Sequence, residues 1–136
     1  MQRISQELID EFLEKKNIFA VVGVSNEPEK YGHKVYFNLK KAGYSVYPIN
    51  PKTNKIKDDK CYPNLSNLPI LPDVVDIVVP PKITQEIVKQ CKKLGIGKVW
   101  MQPGSESETS INFCIKNNIK VLYGVCVMLE RSKLKR

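Results

Sequence analysis

The sequence has few of the residues that build metal centres and catalytic triads. His33 is the only histidine among 136 residues, and the four cysteines, at positions 61, 91, 114 and 126, form no Cys-x-x-Cys pair. A structural zinc site needs clustered cysteine and histidine ligands, so no metal site is expected. Gly-x-Ser-x-Gly elbows and Walker lysine loops are also missing. These absences favour a binding protein over a hydrolase or a nucleoside triphosphatase.

Long apolar runs are missing too. No segment approaches the ~20 consecutive apolar residues of a membrane-spanning helix, and the first residues lack the apolar core and cleavage site of an export signal. We therefore expect a soluble cytoplasmic protein without membrane contact, whose cysteines are reduced and mostly buried. A chain of this length fits one domain over residues 1–136.

Positive charge is abundant and unevenly placed. The formal net charge is +8, residues 30–60 hold eight lysines against two aspartates, and residues 131–136 form a basic tail. A basic protein can bind nucleic acid, an anionic membrane or a phosphorylated small molecule. No helix-turn-helix pattern, zinc finger or aromatic RNP-like strand supports nucleic acid.

Five short β-branched runs predict strands at residues 18–23, 45–50, 74–79, 98–102 and 119–123. Segments with helical spacing follow the first, third and fourth runs; Gly43, Gly95 and Asn117-Asn118 are their predicted ends. A further helix is predicted from Ser5 to Lys16, within an N-terminal segment of residues 1–17. Turn residues fill 50–73, which predicts a loop with a short helix. This alternation predicts an α/β fold: a doubly wound parallel sheet of about five strands in three α/β/α layers.

Ligands of such sheets bind beyond the carboxyl ends of the strands. The first predicted strand leads through Gly23, Val24 and Ser25 to Lys30, Tyr31 and Gly32 at a helix start, which suits a phosphate-binding loop. It is not the dinucleotide fingerprint, because Ser25 and Pro28 replace two of its glycines. An ordinary strand-to-helix turn is the alternative.

The second predicted strand ends in Asn50-Pro51-Lys52, where an NAD-binding domain would carry an acidic residue. A phosphorylated ribose, as in NADP or the 3′-phospho-ADP part of coenzyme A, fits a lysine better than NAD does. A proline turn with solvated lysines is the alternative. The later strand ends carry Val79-Pro80-Pro81 and Gln102-Pro103-Gly104, which either offer flat apolar surface to adenine or pantetheine or only stiffen helix starts.

For three single residues we expect a structural or surface role rather than a catalytic one. His33 lies at a helix start, and we expect a surface or phosphate-facing residue rather than a general base. Cys126 follows the last predicted strand, where a buried structural cysteine is favoured over a reactive thiol. Trp100 lies in mid-strand and is expected in the core.

Seven segments together give the sequence a family resemblance. They are Val22-Gly-Val-Ser25, Lys30-Tyr-Gly32, Val46-Tyr-Pro-Ile-Asn-Pro51, Lys60-Cys-Tyr-Pro63, Val78-Val-Pro-Pro-Lys82, Val99-Trp-Met-Gln-Pro-Gly104 with Glu106-Ser-Glu108, and Gly124-Val-Cys-Val-Met-Leu-Glu130. In this order they resemble the small stand-alone CoA-binding proteins, relatives of the N-terminal domain of the succinyl-CoA synthetase alpha subunit.

The resemblance implies a Rossmann-like CoA-binding fold. It places residues 25–32 at the phosphates, Asn50-Pro51-Lys52 near the adenosine, and Val79-Pro80-Pro81 with Gln102-Pro103-Gly104 along the rest of the groove. Val24 replaces the usual alanine, and Asp59 stands where glycine is common, adding an acid near the proposed phosphates. The synthetase's ligase domain has no counterpart in this sequence, so synthetase activity is not expected.

We therefore expect a non-catalytic protein that binds coenzyme A or an acyl-CoA, with Lys30, Lys52 and loop amides at the phosphates. The alternative is a small NADP-dependent oxidoreductase, for which Tyr31 and His33 are the only candidate proton donors.

Overall fold

The computed structural model describes residues 4–134, and at its centre is a parallel sheet. The strands are β1 (Ile18–Val22), β2 (Ser45–Ile49), β3 (Lys55–Ile56), β4 (Asp59–Lys60), β5 (Val74–Ile77), β6 (Lys98–Met101) and β7 (Lys120–Tyr123). Five of them form the sheet in the order β2-β1-β5-β6-β7, with every pairing parallel. All five lie where β-branched runs predict them, so the predicted sheet is confirmed.

Helices cover both faces of the sheet. They are α1 (Gln6–Phe12), α2 (Tyr31–Lys41), α3 (Pro81–Leu94), α4 (Glu108–Lys116) and α5 (Val127–Ser132). One buried cluster joins α1, α2 and α5 to one face of the sheet, and a second joins α3 and α4 to the other. Strand residues alternate between the two clusters, as the period of two in a strand requires. The predicted three-layer α/β/α arrangement and the burial of Trp100 are therefore confirmed.

The predicted ends of three helices are also confirmed. Gly43 and Gly95, which follow α2 and α3, have φ of 95° and 80°, and Asn118 after α4 has φ of 59°. Helix α1 is shorter than the prediction of Ser5 to Lys16. Ser5 caps it as predicted, but Asn17 Nδ2 donates to the carbonyls of Glu11 and Phe12 and so terminates it early.

Residues 50–73 contain the predicted loop and a short 3-10 helix, Leu65–Asn67. They also contain an antiparallel hairpin of β3 and β4, which the sequence analysis missed. Two residues per strand are too few for a period-two pattern to be visible in the sequence.

The first residues of the predicted basic tail, residues 131–136, are helical. Arg131 belongs to α5, which was not predicted, and its Nε donates to Asn38 Oδ1 on α2 at 3.0 Å. Residues 135 and 136, like residues 1–3 of the predicted N-terminal segment, lie outside the described residues. Within residues 4–134, no helix is long and apolar enough to cross a membrane.

Candidate functional site

Strand β1 lies where the direction of the chain connections reverses. The chain leaves β1 through α2 on one face to reach β2, whereas α3 leaves β5 on the opposite face. The carboxyl ends of β1 and β5 therefore open into a crevice, the usual ligand position in sheets of this kind. The connection over residues 23–30 lies at this crevice, and we call it the phosphate loop.

Two glycines let the phosphate loop fit between its neighbours. Gly23 has φ of 103°, and a Cβ there would lie 2.1 Å from the carbonyl oxygen of Val78 at the end of β5. A Cβ on Gly32, in the first turn of α2, would lie 2.1 Å from the carbonyl oxygen of Gly23. Backbone therefore packs directly on backbone at both positions, which only glycine permits.

The start of α2 is open to an anion. Its N-cap residue is Lys30, and no side chain caps its first turn. Uncapped amide groups at a helix start point along the axis and favour a negative group. Ser25 Oγ is turned inward to accept from the Glu27 amide at 3.0 Å, so it stabilises the loop in this structure.

Asn50 joins the end of β2 to the phosphate loop. Its Nδ2 donates to the Val24 carbonyl at 2.7 Å, and its Oδ1 accepts from the Lys52 amide at 2.8 Å. The Asn50 side chain is thus a positioning group for both segments. Pro51 and Lys52 are exposed, so the Lys52 ammonium is available to a ligand at this edge.

The β3–β4 hairpin is fastened to the phosphate loop by Asn26. Asn26 Nδ2 donates to the Lys55 carbonyl at 2.8 Å, and its Oδ1 accepts from the Lys57 amide at 2.9 Å. This clamp could not be predicted from the sequence, because the two segments lie about thirty residues apart and form no motif.

Asp59, which the sequence analysis placed near the phosphates, is engaged elsewhere. Its Oδ2 accepts from Tyr36 Oη at 2.7 Å and pairs with the Lys40 ammonium. The hydrogen bond from Lys40, and after it that from Tyr36, lowers the pKa of this carboxyl. Lys40 is in the last turn of α2, about 15 Å along the axis from its first turn. Part of the basic charge of residues 30–60 therefore lies away from the phosphate loop.

His33 was expected as a surface or phosphate-facing residue; it is not at the surface, and it contacts the phosphate loop. Only 7% of it is exposed, its Nδ1 lies 2.7 Å from the Ser25 carbonyl oxygen, and its ring packs on Phe37. The imidazole thus connects α2 to the phosphate loop from inside, and its role is structural.

The remaining segments proposed for the groove divide into exposed and buried parts. Pro80, Pro81, Pro103 and Gly104 are exposed at the ends of β5 and β6, and Val79 is partly buried. Gln102 is fully buried, so its side chain faces the interior of the protein.

Gln102 belongs to a polar cluster that the sequence analysis missed; we define it as Tyr31, Asp76, Gln102 and Cys126. Gln102 Nε2 donates to Asp76 Oδ1 at 2.6 Å, and Tyr31 Oη donates to Gln102 Oε1 at 3.2 Å. Tyr31 Oη also lies 2.7 Å from Cys126 Sγ. Burial raises the pKa of Asp76 to about 7 and holds the pKa of Tyr31 above its usual range.

The one visible signal for this cluster was a carboxyl in the middle of the apolar run that forms β5. Cys126 is partly exposed, which overturns the expectation of a buried cysteine, whereas the other three cysteines are buried as expected. Among residues 4–134, no group of three or more potential ligands could hold a metal ion.

The site fits the phosphates of coenzyme A. Gly23 and Gly32 let the phosphate loop pack directly on the end of β5 and on the first turn of α2, and the uncapped start of α2 supplies amide donors. Lys30 and Lys52 are exposed beside it and supply positive charge.

Comparison with known proteins agrees with this assignment. Residues 17–132 match the family model described as CoA binding domain. The chain is 38% identical over 92 residues to an ADP-forming acetate–CoA ligase of Archaeoglobus fulgidus, a match that covers 65% of this chain and 14% of the enzyme. The chain thus spans about a seventh of that relative.

Two solved structures resemble the fold closely. A conserved hypothetical protein from Pyrococcus furiosus is 38% identical, with a TM-score of 0.80 over 84% of this chain and 98% of that one. A hypothetical protein from Pyrococcus horikoshii is 32% identical, with a TM-score of 0.91 over 98% and 99% of the two chains.

Proposed function

Since this chain belongs to the CoA-binding domain family, we propose that it binds coenzyme A or an acyl-CoA across the carboxyl ends of β1 and β5. The observation that carries the proposal is the uncapped start of α2 at the end of the phosphate loop, which Gly23 and Gly32 hold in place by backbone packing. Backbone amides and a helix dipole at a switch point suit a pyrophosphate.

In this proposal Lys52 contacts the 3′-phosphate of the ribose. Its ammonium is exposed next to Asn50, whose side chain fixes the Lys52 backbone relative to the phosphate loop. Lys30 lies at the start of α2 and faces the pyrophosphate. The prolines after β5 and β6 offer apolar surface to the pantetheine arm.

We further propose that the protein binds its ligand without turning it over, in a reducing compartment such as the cytoplasm. The groups proposed to contact the phosphates and the pantetheine arm are backbone amides, ammonium groups and prolines, which hold a ligand through hydrogen bonds, charge and apolar contact. The four cysteines are all free thiols, which is typical of reducing compartments.

Calorimetric titration with CoA, dephospho-CoA and NADP, in the presence of a thiol reductant, tests the proposal. We expect CoA to bind more tightly than dephospho-CoA. The Lys52→Ala variant should lose about three- to tenfold in CoA affinity, the size of one exposed charge-assisted contact, and should bind dephospho-CoA as the parent does.

Lys55→Ala is the matched control, because Lys55 is exposed in the neighbouring β3 strand and its removal lowers the net charge equally. Equal losses in the two variants would mean that only the overall charge matters. NADP binding tighter than CoA binding would favour the oxidoreductase alternative.

A further inference from the structure

The polar cluster ends at a cysteine that is partly exposed. Cys126 is partly exposed, whereas Cys61, Cys91 and Cys114 are buried. Burial raises the pKa of Cys91 and Cys114 far above the thiol range, so these two stay protonated and unreactive. Cys126 is therefore the cysteine through which this protein can do thiol chemistry.

A second observation marks the same cluster. Asp76 is fully buried, and its Oδ2 is the one buried side-chain nitrogen or oxygen atom of residues 4–134 without a hydrogen-bond partner. Its Oδ1 accepts from Gln102, so the carboxyl is turned into the cluster that ends at Cys126. An unsatisfied buried polar group is costly, and natural proteins keep one mainly where it has a role.

The hydrogen bonds of the cluster suit both forms of the Cys126 sulfur. Tyr31 keeps its proton, because burial holds its pKa above the usual range. In the thiol form, Cys126 S–H donates to Tyr31 Oη, and Tyr31 donates to Gln102 Oε1. In the thiolate form, the Tyr31 hydroxyl turns to donate to the sulfur, and Gln102 Oε1 still accepts from the Val127 amide at 3.0 Å. The sulfur therefore has the Tyr31 hydroxyl as a hydrogen-bond partner in either form.

The position of Cys126 matches the reach of the pantetheine arm. Tyr31 is the first residue of α2, directly after the phosphate loop, and its Oη lies 2.7 Å from Cys126 Sγ. Cys126 Sγ is therefore about one tyrosine side chain away from the start of α2. The pantetheine arm has the backbone length of about four extended residues, about 14 Å, so it is long enough to cover this distance with bends. A CoA with its phosphates at the loop can thus bring its sulfur to Cys126.

We propose that Cys126 is a thiol–disulfide exchange site for CoA disulfides. The inference rests on the proposed function. The Cys126 thiolate attacks one sulfur of CoA disulfide, an S–S bond forms between Cys126 and that CoA, and the S–S bond between the two CoA units breaks. The second CoA leaves as a thiolate and takes up the proton that Cys126 gave up. The exchange needs no other oxidant.

Intact-protein mass spectrometry after incubation with CoA disulfide tests the proposal. We expect one adduct per chain, with the mass of one CoA less two hydrogen atoms, that a reductant removes. Cys126→Ser should give no adduct, and Cys61→Ser, which changes a buried thiol, should give the parent's adduct. An adduct that persists in Cys126→Ser would overturn the assignment.

Exchange rates with different disulfides distinguish a site that binds CoA disulfide from a cysteine that is only exposed. CoA disulfide should react at least about tenfold faster than glutathione disulfide at equal concentration, because the groove holds the CoA moiety near the sulfur. Tyr31→Phe should slow the exchange about tenfold at equal CoA occupancy, because the thiolate loses its donor. Equal rates for the two disulfides would refute the proposal.

Titration with CoA under reducing conditions distinguishes failure of this inference from failure of the proposed function. CoA binding without an adduct would overturn this inference and leave the proposed function intact. An adduct at the glutathione rate with no CoA binding would overturn both.

Discussion

Asp76→Asn should change how the stability of this protein depends on pH. Asp76 is fully buried in β5, and its one hydrogen bond comes from Gln102 Nε2 at 2.6 Å. An asparagine has nearly the same shape and keeps an oxygen acceptor for Gln102, but it cannot ionise. The variant therefore removes the titration of this side chain and little else.

The size of the effect follows from the pKa of the buried carboxyl. Burial raises the pKa of Asp76 from 3.8 to about 7 in the folded protein. Between these values the folded protein holds a proton that the unfolded chain has released, so the free energy of unfolding falls as pH rises, by up to about 1.4 kcal/mol per pH unit. Between pH 5 and pH 7 the parent should lose about 2 kcal/mol relative to Asp76→Asn.

Urea unfolding followed by circular dichroism at pH 5, 6 and 7 measures this difference. The free energy of unfolding of the parent should fall relative to that of Asp76→Asn as pH rises, because only the parent ionises a buried group. Asp58→Asn is the control, since it removes an exposed carboxyl and gives the same change in net charge. Parallel pH profiles for the parent and Asp76→Asn would refute the assignment of a raised pKa to Asp76.

Two further predictions concern the phosphate loop and its surroundings. Gly32→Ala places a Cβ 2.1 Å from the Gly23 carbonyl oxygen, so it should cost about 1–3 kcal/mol in urea unfolding and weaken CoA binding in calorimetry; unchanged affinity would contradict the role of Gly32 in shaping the phosphate loop. Asp59→Asn should leave CoA affinity within about twofold, because Lys40 already compensates the carboxylate. The same variant should be less stable than the parent at neutral pH, and the difference should shrink on acidification, because the pKa of Asp59 is lowered in the folded protein. A large gain in CoA affinity would instead mean that the Asp59 carboxylate lies near the phosphates.

The sequence allowed most of the fold to be predicted, because the features concerned are local. Apolar β-branched runs mark the strands of the sheet, and Gly43, Gly95 and Asn118 end helices through left-handed backbone at their own positions. The glycines at the phosphate loop were also visible. Gly23 and Gly32 stand at the two ends of the predicted phosphate-binding loop, and the structure uses both for backbone packing.

The features that escaped prediction depend on residues far apart in the chain. The clamp by Asn26 requires β3 and β4 to lie beside the phosphate loop, and nothing in either segment encodes that contact alone. His33 has the polarity of a surface residue, but the Ser25 carbonyl supplies the partner that allows its burial. The polar cluster joins residues from α2, β5 and the ends of β6 and β7, so it exists only once the strand order is known.

The two ends of the crevice at the carboxyl ends of the strands differ in chemistry, and this difference determines which cofactor fits. Near β1 and β2 it offers uncapped amides with Lys30 and Lys52, which suit phosphates. Toward β6 and β7 it offers the hydroxyl of Tyr31 beside the sulfur of Cys126. CoA has phosphates at one end and sulfur at the other, with a flexible arm between them. NADP instead carries an aromatic ring on each side of its pyrophosphate, and its nicotinamide would need a flat pocket. The Tyr31 side chain occupies that position, because it extends across the carboxyl ends of the strands to contact Gln102 and Cys126. Tyr31 therefore favours a thin arm over a second ring, and we expect it to discriminate against dinucleotides.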